Sequence, residues 1–412
     1  MKKINKKKII NDPVHGFISI PGELLFDLME HPFVQRLRWI KQLGMTALVY
    51  PGATHTRFHH SIGSMHLMSA AVNTLIQKGH EIMPEESAAV HVAILLHDLG
   101  HGPFSHLLEA TLVQGIHHED LSLLFMERLN QQLDGKLSMA IEIFTNRYPK
   151  KFLHQLVSSQ LDMDRLDYLR RDSFYTGVSE GVISSDRIIK MLNIHNDELA
   201  VEIKGIYSIE KFLIARRLMF WQVYLHKTAL VAEHMLINIF KRARELFAQG
   251  DKTTTLPNLD FFIRQAYTME DFRRNDEVLD HFAQLDDSDV MSALKIWSQH
   301  PDKILRTLSQ GIINRDLLAI EISDQPFPEE KIHRTKVMAR QEMGLSANDP
   351  VDYFVFTDTI SNNAYNVSDD KINILYPDQI VKDISEASDM LNLSVLGKTV
   401  RKNFLCYPKS IR

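Results

Sequence analysis

The sequence has a single cysteine, Cys406, so it can close no internal disulfide, which fits a reducing cytoplasm. It has no apolar run long enough to cross a bilayer, since even Ala88–Leu96 is interrupted by His91. A secretory signal core is missing as well: the N-terminal lysines lead into Asn11, Asp12 and Pro13, which argues against export. Nor does one charge dominate. Lysine and arginine total 47 against 52 acidic residues, a net of −5 that gives no signal for a nucleic-acid partner. The one basic run, Lys2, Lys3, Lys6, Lys7 and Lys8, reads as a solvated tail. Its sharper alternative is a phosphate-attracting patch for a nucleotide at a subunit boundary. No Gly-x-x-x-x-Gly-Lys-Ser/Thr loop occurs, which excludes an ATP-driven motor. Internal repeats and low-complexity segments are lacking too.

What is present is ordinary in bulk and unusual in one place. With 412 residues, 44% hydrophobic and 24% charged, the chain suits a large soluble core, in two domains or one with an appendage. Of its 20 histidines, 11 lie between His55 and His118. Histidine is the commonest metal ligand and titrates near neutral pH, so chemistry is to be sought there.

Hydrophobic periodicity predicts a mainly α protein. Helices are expected over 22–45, where Leu24, Leu25, Leu28, Phe33, Leu37 and Ile40 share a face, over 58–78, and from Pro84 to His97. The last is apolar nearly all round and should be central. Further helical patterns cover 104–112, 118–133, 150–171, 186–193 and 208–248. A small hairpin is expected around Leu199, Val201 and Ile203, and a loop over 250–258. After residue 312 the pattern changes: 317–322, 353–356 and 372–376 read as strands, 330–343 and 378–388 as helices. The expected architecture is a helical domain over 1–312 with a small α+β region over 313–412.

His97-Asp98 closes the apolar helix. Two ionisable side chains there are costly unless satisfied, and a cap plus a carbonyl bond would satisfy them as a metal would. The surroundings favour a metal. From His97 to His106, three histidines and an aspartate fall in ten residues, with Gly100, Gly102 and Pro103 to bend the backbone. Arg57-Phe58-His59-His60 stands upstream, and Asp162-Met163-Asp164-Arg165-Leu166-Asp167-Tyr168 downstream. A mixed set of imidazole and carboxylate ligands suits a divalent transition metal better than Mg²⁺.

In that order, His60, His97-Asp98 and a distant Asp164 match the signature of the HD superfamily of metal-dependent phosphohydrolases. The runs 11–16, 35–44, 57–63, 97–106, 118–119, 162–172 and 224–227 resemble one branch of it. That branch holds bacterial deoxynucleoside triphosphate (dNTP) triphosphohydrolases and the human SAM- and HD-domain dNTP hydrolase. The resemblance covers roughly residues 8–240, and the SAM domain has no counterpart. It implies a helical HD core with a small α+β C-terminal appendage. It also implies one divalent ion (Mn, Fe, Ni, Zn or Mg) held by His60, His97, Asp98 and Asp164. By the same resemblance His106 acts on the scissile ester, while His101, His118 and Glu119 line the pocket, orienting groups or shuttling protons. Arg57, Arg165 and Arg216 match positions that hold a triphosphate, and Tyr168 and Asp172 positions that contact the sugar. Gln42 and Leu43 match the turn beneath the sugar that disfavours a 2′-hydroxyl, and Tyr224 matches a pocket residue. Plainer readings exist: His118 as a helix-start residue, Arg216 as an ion-pair arginine, Tyr224 as core.

The implied reaction is hydrolysis of a dNTP to deoxynucleoside and intact triphosphate by a homo-oligomer, dimer or tetramer. Departures from the branch are His59, where relatives often carry glutamate, and Glu30 and Phe220, where the human relative has an aspartate and a basic or polar residue. Gln35 and Arg38 do match, which leaves room for a nucleotide effector. Two readings compete. One is a phosphohydrolase acting on monophosphates, cyclic nucleotides or another phosphoester, against which the extra arginines count. The other is a nucleotide- or nucleic-acid-binding regulator with little turnover, against which the complete ligand set counts.

Overall fold

The computed structural model describes residues 8–104, 111, 113, 115–362, 365–366, 371–389 and 399–412. A hairpin of β1 (Ile9–Asp12) and β2 (Gly16–Ser19) leads into α1 (Glu23–Glu30) and α2 (Pro32–Arg36). Next come α3 (Arg57–Gln77), α4 (Pro84–Leu96), α5 (His118–Gln132), α6 (Ser138–Phe144), α7 (Lys151–Val157), α8 (Met163–Thr176) and α9 (Ser185–Met191). A second hairpin, β3 (Leu192–His195) and β4 (Glu198–Glu202), precedes α10 (Ile206–Met219) and α11 (Lys227–Ala248). Five helices not anticipated from the sequence follow: α12 (Pro257–Arg264), α13 (Met269–Arg274), α14 (Asp276–Phe282), α15 (Asp287–Trp297) and α16 (Lys303–Ile313).

The helix expected to be central is so: every residue of α4 from Ala89 to Leu96 is buried, and α3 and α6 pack on it. Pro84 opens it and Glu85 and Glu86 fill its first turn, where negative charge meets the positive end of the helix dipole. Behind it, Gly100 lets the chain run against α5. A Cβ there would stand 1.9 Å from the His118 carbonyl oxygen. Ser122 then donates to the His97 carbonyl at 2.6 Å and accepts from the Gly100 amide at 2.8 Å, which fixes the turn carrying His97 and Asp98.

Three expected long helices are broken, each for a local reason. The stretch 22–45 breaks at His31, which is extended (ψ 140°) because Pro32 excludes the helical region before it; only short turns follow Arg36. The stretch 150–171 breaks at Ser158–Asp162, where the Asp162 carboxylate caps α8 by accepting from the Arg165 amide at 2.7 Å. The stretch 208–248 breaks after a wide π turn, Phe220–Tyr224, with His226 capping α11. The helix expected over 104–112 lies largely outside the described residues.

The hairpin near Leu199 forms as β3–β4. Later strands are β5 (Ala319–Ser323), β6 (Phe356–Asn362), β7 (Asn373–Leu375), β8 (Val381–Asp383) and β9 (Val400–Tyr407), with α17 (Glu329–Glu342) after β5 and α18 (Ile384–Ala387) after β8. The strand expected at 353–356 begins only at Phe356, after a tight turn at Val351–Tyr353. Where a helix was expected over 378–388, β8 comes first and Asp383 caps a single turn. β7 pairs in parallel with β4, so the C-terminal chain extends a sheet begun in the helical body, in the order β3-β4-β7-β8. β5, β9 and β6 form a separate antiparallel sheet.

Candidate metal centre and adjoining cavity

His60 on α3, His97 at the end of α4 and Asp164 at the start of α8 converge. His60 Nε2 lies 2.9 Å from Asp164 Oδ1 and 3.4 Å from His97 Nε2, and His97 Nε2 lies 3.5 Å from Asp164 Oδ1. The break before α8 is what brings Asp164 here. His97 Nδ1 sits 2.6 Å from the Ile94 carbonyl, an acceptor, so the ring proton belongs on Nδ1. His60 Nδ1 likewise faces Asp167 Oδ2 at 2.9 Å. Each Nε2 therefore turns a lone pair toward one point beside a carboxylate, and such atoms repel unless a cation lies among them. The donor set fits a divalent transition metal. Burial works against a charged His60, but Asp164 and Asp167 outweigh it and raise its pKa to about 10. His97 is raised too, by Asp98 and Asp164 against burial. Asp164, also against burial, is held below the usual carboxylate range by His60 and His97. Its side chain is 30% exposed against 1% for His60, which marks the open side of the cluster.

Asp98 lies against the same cluster. Its Oδ1 is 3.4 Å from His97 Nε2 and its Oδ2 is 3.9 Å from His60 Nε2, while Oδ2 accepts from Arg57 Nη1 at 2.6 Å. His101 Nε2 is 3.4 Å from Asp98 Oδ1, and its ring stacks on His118 with centroids 3.9 Å apart. Burial first, then Arg57, hold its pKa well below the ordinary histidine range, so the stacked imidazole is neutral. Glu119 is not drawn in. It is exposed in the first turn of α5, and among the described residues no contact at the cluster involves it. Its charge there serves the dipole of α5. His106 lies outside the described residues.

A cavity of about 440 Å³ adjoins the cluster. Gln42, Leu43, Arg57, Tyr168, Asp172 and Tyr224 line it, with Phe104, Phe220, Leu225 and Glu233 among the others. Asp164, Tyr168 and Asp172 follow at four-residue spacing on α8, so the metal end and the Asp172 end lie on one helix face, ~12 Å apart at 1.5 Å per residue. Asp172 Oδ1 pairs with His55 Nε2 at 2.7 Å and Oδ2 accepts from the Tyr224 hydroxyl at 2.8 Å. His55 was not singled out from the sequence, although the histidine-rich stretch begins with it. Arg165 and Arg216 are absent from the lining. Arg165 Nε donates to the Ser159 carbonyl at 2.5 Å and Arg216 Nη1 to Gln160 Oε1 at 3.1 Å, and both charges act on Tyr168.

Also missed was Asp287, which tethers two segments at the cavity edge. It accepts from the Lys41 amide at 3.0 Å and the Phe104 amide at 2.9 Å. Burial raises its pKa to about 6 from 3.8, more than those bonds lower it. A raised folded pKa means the folded state holds the proton longer, so the contribution is full below pH ~4 and is lost as pH rises through ~6. Relative to Asp287→Asn, the wild-type protein should lose on the order of 3 kcal/mol across that window. Paired melting curves from pH 4 to 7 would show it. A flat difference would refute it.

Models of the HD domain and of the HD-associated region match residues 57–172 and 183–260. The chain is 32% identical over 424 residues to YwfO of Bacillus subtilis, a protein of uncharacterised function, spanning 99% of this chain and 94% of that one. It is 33% identical over 264 residues to the deoxynucleoside triphosphate triphosphohydrolase SAMHD1 homolog of Dictyostelium discoideum, 60% of this chain and 51% of that one. The crystal structure of a phosphohydrolase from Bacteroides thetaiotaomicron matches with a TM-score of 0.94 and 55% identity, over 98% of this chain and all of that one. No helix among the described residues is long and apolar enough to cross a membrane.

Proposed function

This chain belongs to the family of HD-domain phosphohydrolases, and on that premise we propose that it hydrolyses deoxynucleoside triphosphates to deoxynucleoside and inorganic triphosphate. The observation that carries this reading is the cavity itself, which runs from Arg57 beside the ligand cluster along α8 to Asp172 and Tyr224. A phosphate at one end and a sugar at the other match that polarity.

When bound, a divalent ion supplies charge that polarises the phosphate and acidifies a water. His60, His97 and Asp164 hold it, with Asp98 as the fourth ligand. Asp98 also holds Arg57 in place, so a guanidinium faces the incoming phosphate at a fixed position. Arg165 and Arg216, outside the lining, add positive potential around Tyr168. Water attacks the α-phosphorus, the bond to the 5′-oxygen breaks, and that oxygen takes a proton, which we assign to His106. His101 and His118 form a stacked wall next to Asp98 that can relay a proton. At the far end, His55 and Tyr224 fix the Asp172 carboxylate, and each of its oxygens keeps a lone pair for a sugar hydroxyl. Gln42 and Leu43 floor the same space, where a 2′-hydroxyl would crowd them.

The proposal includes a dimer or tetramer in solution and a nucleotide effector, with Gln35 and Arg38 as its contacts; Arg38 Nε already donates to Gln35 Oε1 at 2.7 Å. The test is incubation of metal-loaded protein with each dNTP, with and without GTP, and anion-exchange separation of the products. Triphosphate plus deoxynucleoside is expected. Release of orthophosphate or pyrophosphate, or turnover confined to monophosphates or simple esters, would replace this reading with another phosphohydrolase activity.

A further inference from the structure

Asp167 binds more than a metal ligand. Its Oδ2 faces His60 Nδ1 at 2.9 Å and accepts from Arg171 Nε at 2.8 Å. Its Oδ1 accepts from Arg171 Nη2 at 3.0 Å and pairs with His15 Nε2 at 2.6 Å. Two donors on each oxygen use the carboxylate's four lone-pair directions. Arg171 passes its Nη1 to Asp12 Oδ2 at 2.8 Å, and Asp12 Oδ1 accepts the backbone amides of Val14 and His15 at 3.0 and 2.9 Å. The turn between β1 and β2 is thus held by the same carboxylate that holds Arg171. The side chains of Asp12, Asp167 and Arg171 are fully buried, and His15 is 2% exposed.

From this closed circuit we infer that the β1–β2 hairpin, through His15 and Asp12, is a positioning element of the metal centre: it aims His60 by fixing Asp167. The inference rests on the metal reading above. Asp167 can orient His60 only while its own position is fixed. Arg171 fixes it from α8, the helix that also carries Asp164, whereas His15 is, among the described residues, the one donor that reaches it from outside α3 and α8. Loss of His15 leaves Oδ1 a donor short in a dry site, and the carboxylate is then free to turn about its bonds to Arg171. The His60 ring follows it, because Nδ1 must keep an acceptor. His60 Nε2 then leaves the point it shares with His97 and Asp164.

Partners behind a ligand histidine typically contribute 10- to 100-fold to metal affinity, and that is the size of effect expected here. The test is titration of metal-stripped wild-type, His15→Ala and His15→Gln proteins with Mn²⁺ alone, followed by isothermal calorimetry. Circular dichroism checks the fold. His15→Ala should weaken Mn²⁺ binding by ~10- to 100-fold. Glutamine places an amide donor near the reach of Nε2 and should recover most of the loss. Should His15→Ala fail to fold, Asp12→Asn carries the test. It keeps an acceptor for the turn amides, weakens the hold on Arg171, and must shift Mn²⁺ affinity the same way. Folded His15→Ala or Asp12→Asn binding Mn²⁺ like the wild type would overturn the inference alone, reducing the circuit to a fold-stabilising ion pair. A wild-type protein that takes up no Mn²⁺ would overturn the metal reading along with it.

Discussion

Asp164→Ala is expected to leave a folded protein that takes up no divalent ion and loses at least ~1,000-fold of kcat/KM, since the ion contributes several kcal/mol and each ~1.4 kcal/mol is tenfold. Asp164 is the only carboxylate whose oxygen lies within 3.5 Å of both Nε2 atoms among the described residues. Removing it leaves two neutral imidazoles and an Asp98 already engaged by Arg57. That set lacks the negative charge that offsets desolvation of a dication. The fold should survive, because Asp164 sits at a helix start with its side chain 30% exposed, and its buried partner His60 is not left alone. His60 keeps its bond to Asp167. Metal content by mass spectrometry, read beside turnover and melting temperature, separates the outcomes. A variant with wild-type metal stoichiometry and turnover would remove Asp164 from the centre.

The second large effect concerns stability. Gly63 lies inside α3, where alanine ordinarily gains ~1 kcal/mol over glycine. Here the sign reverses. A Cβ at this position would lie 2.1 Å from Asp167 Oδ1 and 2.2 Å from Arg171 Nη2. Both atoms are buried and pinned by the circuit through His15 and Asp12, so neither can swing aside. Either α3 and α8 move apart or the ion pair opens, and opening a buried pair costs ~3–5 kcal/mol. Gly63→Ala should therefore lower the melting temperature by several degrees and weaken Mn²⁺ binding through His60. Gly22→Ala is the control, since its backbone is extended (φ 176°) and nothing lies within 4 Å of the added carbon. Equal melting temperatures for the two variants would show that α3 and α8 accommodate the methyl group.

Residue order carried the histidine–aspartate cluster. His60, His97-Asp98 and Asp164 are spread over more than 100 positions of the sequence, yet the surrounding runs marked each one, and three of the four share a point in space. The apolar helix ending at His97 was equally plain, because burial on all sides leaves no polar face to misread. Helix breaks were harder. Periodicity reports a face and passes straight through Asp162 or Phe220–Tyr224, whereas the interruption depends on a cap or a wide turn that the surrounding packing selects. His15 and Asp167 are 152 residues apart and carried no joint signal; the four-residue spacing of Asp167 and Arg171, which suits a helical ion pair, was passed over.

The helical class, the central helix and the histidine–aspartate chemistry could be read before folding, because local periodicity and ligand type are written residue by residue. The tertiary structure alone decided that Asp98 leans on Arg57, that Glu119 stays in solvent, and that Arg165 and Arg216 sit outside the cavity lining. It also decided that an N-terminal hairpin stands behind His60. Those outcomes depend on which buried charges meet across distant elements, and each buried charge must find a partner wherever the folded chain brings one.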